Sequence, residues 1–454
     1  MIKSRIAILT KEGNLLRYVN NQWEERPALL PNNEQLRIDD LCLTGLGNDL
    51  THLWVMGDVS FIPDRCFAEY DPKLWRDMHI RLRDDNEELS SVSAYVAPDV
   101  SIKSGRKQIN VIFADNTKWS WITRAVTAKQ LYITLVYLET ELGVSISGSP
   151  GVVGWKVLDT FHPEWLYDVS TIDIDACHFD KSYSDLLWQS PTLQTGATGF
   201  IHKYDRNMAF TAACVANHYG VGTPVNKRGL GYFNPNQVGV HHCKWSGAHN
   251  PLLPRPVLGG MEWIATPQVR LLKHLGYDVN ILESWVYPEQ HQLMSQWAKF
   301  MWNARMNFED SPYPKYPHPV CRKLARTGVK EAANGLIGLL RYTDFADSDL
   351  EKKRPDIRTG TVSRNTELCY HNLLKVESKE RVRPALAYMD AFYYILPTRN
   401  GKAGLPTMME REGKLGGYKW EGCIEITPAI EKVLASKAAV SKKLEVLNEQ
   451  GWIL

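Results

Sequence analysis

The chain has 454 residues, 44% of them hydrophobic and 23% charged, which suits two to four domains of an ordinary globular protein. No apolar run approaches the roughly eighteen residues of a membrane-spanning helix, and the opening MIKSRIAILTKEGN lacks a signal-peptide pattern. The eight cysteines never form Cys-x-x-Cys, so they read as reduced thiols and not as a disulfide framework or zinc site.

The net charge of +2 is unevenly spread. Residues 1–100 hold 11 Lys/Arg against 17 Asp/Glu, a net of −6, whereas residues 321–383 hold 14 against 9, a net of +5. A basic patch in the C-terminal half suits phosphates, although a solvated charged face is the commoner meaning of such a run.

In chain order, RIAILT, LLRYV and HLWVMGD predict short strands before residue 75. INVIFAD predicts a strand and AKQLYITLVYLETELG a helix, after which the Gly-rich SGSPGVVG reads as a break. From about residue 196, GFIHKYD predicts a strand and NMAFTAACVANHYG a helix. A Pro/Gly-rich stretch around HHCKWSGAHNPLLPRPVLGG follows. Helical patterns then run through QVRLLKHLG, QLMSQWAKFMWNARMNF and VCRKLARTGVKEAANGLIGLLRY. RPALAYMDAFYYILP reads as buried strand, and the C-terminal EITPAIEKVLASKAAVSKKLEVLNEQ is helical. Strand, helices, then strand on one core make an α+β fold.

Three features carry chemistry. Asp390 is the only charged residue between Ala385 and Leu396, and a carboxylate in an apolar strand is costly unless paired or metal-bound; a hairpin-tip turn is the structural alternative. Asp205 stands where a strand gives way to a helix, either as a site residue or as an N-cap. Arg326, Lys330, Asn334 and Gly338 recur every four residues, a stripe suited to phosphate or to a solvated edge. The cluster His241, His242, Cys243 and His249 fits no common zinc spacing and reads as a polar loop. The fifteen tryptophans allow base stacking, but most are expected in the core.

In this order the features resemble the motifs of the family B DNA polymerases, protein-primed phage and mobile-element type. Asp205-Arg206-Asn207-Met208-Ala209-Phe210-Thr211 is similar to the first motif, Lys330 to Gly338 (with Asn334) to the second, and Tyr388-Met389-Asp390-Ala391-Phe392-Tyr393 to the third. Lys414-Leu415-Gly416-Gly417-Tyr418-Lys419 is similar to the Lys-Leu-Gly-aromatic segment that follows them. The resemblance covers roughly 196–420. It implies an α+β polymerase palm (196–260 and 339–420) with helical fingers (261–338) and a reduced helical thumb (421–454). Before these would come a β-rich region (1–75) and a mixed α/β, exonuclease-like region (76–195) without recognisable exonuclease motifs; Asp115, Glu139 and Glu141 are its nearest candidates.

The activity implied is addition of deoxynucleotides to a primer 3′-hydroxyl with Mg²⁺ or Mn²⁺. Asp205, Asp390 and the Arg206 carbonyl would be the metal ligands. Phe210, Arg326, Lys330, Asn334, Gly338 and Arg305 would contact the nucleotide, and Lys414, Gly416, Tyr418 and Lys419 the DNA. The partners implied are primer–template DNA, deoxynucleotides and a terminal or replication protein, without a membrane, in the cytoplasm or nucleoid of a bacterial host. Phe392 stands where the family has a second aspartate, which predicts weak incorporation, with Asp344, Asp347 and Asp349 as the nearest alternative oxygens. Two other functions fit the same residues: a polymerase-like DNA-binding protein without catalysis, and a template-independent or priming nucleotidyltransferase.

Overall fold

The computed structural model describes residues 6–27, 51–56, 99–161, 187–256, 261–340 and 354–454, apart from short gaps at 13, 20–21, 105–106, 126, 194–195 and 229–230. Asp344, Asp347 and Asp349 lie outside the described residues. The chain divides into two units, residues 1–160 with 303–339 and residues 161–302 with 340–454.

The first unit opens on strands β1 (Ile6–Leu9), β2 (Asn14–Val19), β3 (Gln22–Pro27), β4 (His52–Val55), β5 (Asp99–Ser104) and β6 (Lys107–Phe113). They form one sheet in the order β3-β2-β1-β4-β6-β5. The expected boundary at residue 75 therefore cuts through a single sheet, because β1 and β6 both pair in parallel with β4. Helix α1 (Ala128–Leu142) follows, with a Thr127–Gln130 capping box and Gly143 ending it in the left-handed region. Helix α2 (Pro150–Asp159) occupies the Gly-rich stretch read as a break.

The second unit holds β7 (Leu187–Gln189), β8 (Phe200–Arg206), α3 (Ala209–Ala216), β9 (Tyr219–Val221), β10 (Val225–Arg228), β11 (Gly239–Ser246) and β12 (Met261–Ala265). Next come α4 (Thr266–His274), β13 (Asp278–Val286), β14 (Glu289–His291) and α5 (Ser295–Met306), whose residues from Asn303 count with the first unit. Helix α6 (Pro319–Leu339) belongs to the first unit. The second unit resumes with α7 (Pro355–Glu380), β15 (Leu386–Tyr388), β16 (Ala391–Leu396), β17 (Tyr418–Glu425), α8 (Pro428–Ala435) and α9 (Val440–Gln450).

Two sheets organise the second unit. β10-β13-β11-β12 form a four-stranded antiparallel sheet. Residues 261–286, expected in helical fingers, thus supply two of its strands. His241 on β11 is buried and hydrogen-bonded to Ser284 and Thr266. The order β17-β8-β16-β15-β7 makes a five-stranded antiparallel sheet. On one face Tyr204, Phe392, Tyr394 and Tyr418 pack with Cys369, Tyr370 and Leu373 of α7. On the other, Ile201, Tyr393 and Ile424 pack with Ile430 and Leu434 of α8 and Leu444 and Leu447 of α9.

Close helix packing in the first unit explains the glycines of α2. A Cβ on Gly154 would stand 2.3 Å from the Ala332 carbonyl oxygen of α6, and one on Gly151 would stand 2.7 Å from the Gly335 carbonyl oxygen. Both contacts are with backbone, which cannot swing aside. Gly154→Ala should therefore destabilise the first unit by about 1–3 kcal/mol through overpacking. The check is the urea midpoint of unfolding; an unchanged midpoint would show that α2 and α6 do not lie this close.

Candidate active site at the end of the five-stranded sheet

The candidate carboxylates are brought to one end of the sheet by strand pairing. β8 runs between β16 and β17, with Tyr204 across from Phe392 and Asp205 across from Lys419. Continuing the first register by one residue sets Ala391 across from Asp205, so Asp390 lies next to it in the turn. That turn is the two-residue loop Met389-Asp390 between Tyr388 and Ala391, with Met389 in the left-handed region at φ 53°. Asp205 is not an N-cap: the cap of α3 is Met208. Both aspartates are half-buried. The Tyr393 phenol, raised by burial, is raised further by the charges of Asp205, Glu421 and Asp390 together. Asp390 also acts on Cys369 and Tyr418 of the opposite face, as a carboxylate at a sheet end should.

Phe392 is one strand step further in. It is fully buried, opposite Tyr204, in the core shared with α7. A carboxylate there would sit under a helix and not beside Asp205. In this hairpin the position that accompanies Asp205 at the sheet end is 390, so the aspartate expected at 392 has no exposed place to occupy.

Glu421, which the sequence did not single out, is the third acid of this end. It is the extra residue of a bulge in β17 between Trp420 and Gly422. Lys203 approaches it at 2.8 Å, Lys419 bonds it too, and Lys419 Nζ lies 3.8 Å from Asp205 Oδ2. Burial pushes the Glu421 carboxyl up, but the two lysines outweigh it and hold it below the usual value. Only the pairing of β17 with β8 brings these four charged side chains together.

Arg206 is an internal tie. It is 4% exposed, donates to the Gly416 carbonyl (2.9 Å) and to Asn365 of α7, and so fastens the segment 414–417 to the sheet. Gly416 adopts φ 70° and donates to the Asn207 carbonyl, and its missing Cβ leaves room for Ala212. Tyr418, expected to touch DNA, is instead buried beside Cys369 and Phe392, because the strand phase of β17 turns it to the core. Lys414 is exposed, and Phe210 is half-buried in the first turn of α3.

The remaining candidates lie on helices of the first unit. Arg326, Lys330, Asn334 and Gly338 do form a stripe on α6, on the face turned away from its buried residues Ala325, Val329, Ala332 and Leu336. Asn334 and Gly338 are exposed, and Lys330 makes no ion pair among the described residues. Arg326 is paired with Glu309, and Arg305 is 6% exposed, so neither stands as an open cation. Glu141 is a structural acid, bonded to Asn307, Lys315 and Tyr316, and its exonuclease reading falls away.

Comparison with solved structures agrees with this architecture. The chain is similar to phi29 DNA polymerase complexed with primer–template DNA and incoming nucleotide substrates, with a TM-score of 0.54 at 9% identity over 94% of this chain and 85% of the other. The orthorhombic form of that polymerase and its binary complex with primer–template DNA each give a TM-score of 0.52 at 10% identity, over 91% of this chain and 81% of theirs. The fold is polymerase-like. No family model and no curated protein matches the sequence.

Phe392→Asp separates the two accounts of the hairpin. Placed in the core, the new carboxylate should cost about 3 kcal/mol or more of stability and add no activity. Thermal unfolding and nucleotide incorporation measured on the same sample check this; a stable variant with raised incorporation would restore 392 as a ligand position.

Proposed function

We propose that this chain adds deoxynucleotides to a DNA primer end at the open end of the five-stranded sheet. The observation that carries the reading is the pair Asp205 and Asp390 at one end of neighbouring strands, with position 392 withdrawn into the core. The donor set fits magnesium or manganese: two carboxylates, with the Arg206 carbonyl as a third oxygen. Asp205 already faces the positive charge of Lys419. When bound, such ions supply Lewis-acid stabilisation of the attacking and leaving oxygens.

The protein's own work is positioning and neutralisation. Phe210 would lie against the sugar. Lys414 and Lys419 would meet the phosphates of the primer, while Gly416, Arg206 and Tyr418 hold that segment in place. Partners under this reading are primer–template DNA and deoxynucleotides; a terminal or replication protein belongs to the same proposal.

A second reading, DNA binding without catalysis, is favoured by the chain Lys203–Glu421–Lys419–Asp205, in which lysines balance two of the acids. Primer extension in Mg²⁺ and in Mn²⁺, with Asp205→Ala and Asp390→Ala as controls, decides between them. Incorporation that falls by at least roughly a hundredfold in both variants is expected for metal-holding groups. No incorporation by any of the three proteins, with DNA binding intact, establishes the second reading.

Either reading requires phosphate contacts by lysine and arginine. DNA affinity should fall by at least roughly tenfold between 50 and 200 mM salt. A binding constant flat across that range would remove both.

A further inference from the structure

A cleft of 480 Å³ opens within the second unit, between the end of α3, the β11–β12 region and the first turns of α7. Asn217, Arg270, Asp356, Thr359, Gly360 and Arg364 are among its walls, and none of them takes part in the sheet-end site. Its volume is in the range of small-molecule sites, roughly 300–1,000 Å³.

The cleft wall contains an orphan. Thr359 is 3% exposed and its hydroxyl has no hydrogen-bond partner. A buried polar group left unpaired is costly, so one on a cleft wall points to a partner that arrives from outside. Beside it the charges are unequally committed. Glu367 is already gripped by Arg270 through two bonds, at 2.9 and 2.8 Å. Arg364, also on the cleft wall, gives Glu367 a single N–H. Asp356, the one acid among the described wall residues, has its oxygens taken by Arg354 at 3.0 and 2.8 Å. Helix α7 begins here with no side-chain cap, so the positive pole of a 26-residue helix borders the same space. Gly360 keeps that space open: a Cβ would stand 3.3 Å from Asn217 Nδ2.

We propose that this cleft binds a small phosphate-bearing ligand of mononucleotide size. The phosphate lies among Arg364, the Thr359 hydroxyl and the start of α7, and the rest of the ligand extends towards the Asn217 amide. A free nucleotide and the 5′-phosphate end of a strand share this chemistry.

Isothermal titration of the full chain with deoxyadenosine monophosphate, inorganic phosphate and deoxyadenosine tests the site. The monophosphate and phosphate bind and compete, and the nucleoside does not. Arg364→Gln weakens monophosphate binding roughly tenfold, the loss of one charge-assisted contact. Thr359→Val, nearly the same shape without the hydroxyl, weakens it several-fold while the melting temperature holds. Asp205→Asn with Asp390→Asn leaves it unchanged. Competition by a 5′-phosphorylated oligonucleotide, but not by its unphosphorylated twin, assigns a strand end as the source; absence of competition assigns a free nucleotide. Equal binding of the nucleoside, no binding by the folded chain, or loss of binding in the double aspartate variant would each overturn the proposal, the last by moving the nucleotide to the sheet end.

Discussion

The register of β8 against its two neighbours is the constraint on which the rest depends. Tyr204 lies across from Phe392 on one side and Trp420 on the other. That single alignment turns the aromatic set towards α7 and leaves Lys203 and Asp205 on the opposite phase. A slip by one residue would reverse every side chain, burying Asp205 under α7 and exposing Tyr204. The aromatic burial that fixes the register therefore also fixes where the acids stand. Large rings such as these contribute most to core energetics, and the carboxylates take their positions from them.

Arg206 couples this register to the helix beneath. A buried guanidinium is tolerable only when its donors are satisfied, and here the Gly416 carbonyl and Asn365 take them. The sheet end, the 414–417 segment and α7 are thus held by one side chain. The same helix carries Arg364 next to Asn365, and Thr359 about a turn and a half further towards its N-terminus. Its length brings a cleft and a sheet end into one rigid element without merging them.

Much of this was legible because periodicity records burial. The strands around Asp205 and Asp390 and the helices α1, α3, α5 and α6 follow apolar patterns that leave little choice of element. The misreadings share a cause: residues whose usual local meaning was overridden by tertiary contact. PGVVG signals a turn, yet in α2 its glycines serve close approach to α6. HHCKW was read as loop because of its polar residues, but His241 satisfies both ring nitrogens inside β11's sheet. Glu421 was invisible because only a bulge and a neighbouring strand give it its place. Tyr418 was assigned from motif spacing, which does not state the phase of a strand.

The lysine-balanced acids and the withdrawn Phe392 weigh differently on function. Lys419, Asp205, Glu421 and Lys203 all keep between 18% and 35% of their side-chain surface exposed. Ion pairs that open to water contribute only about 0–1 kcal/mol each. Under the proposed function, a lysine 3.8 Å from Asp205 would compete only weakly with a divalent ion. The pairing shows that the site attracts positive charge more than it shows the site to be closed. Position 392 weighs more heavily. Its burial is worth several times an exposed ion pair, and an aspartate placed there would stand in the core. What stands at the sheet end is a pair of half-buried carboxylates on an apolar frame, and under the proposed function that frame is what would hold them for chemistry.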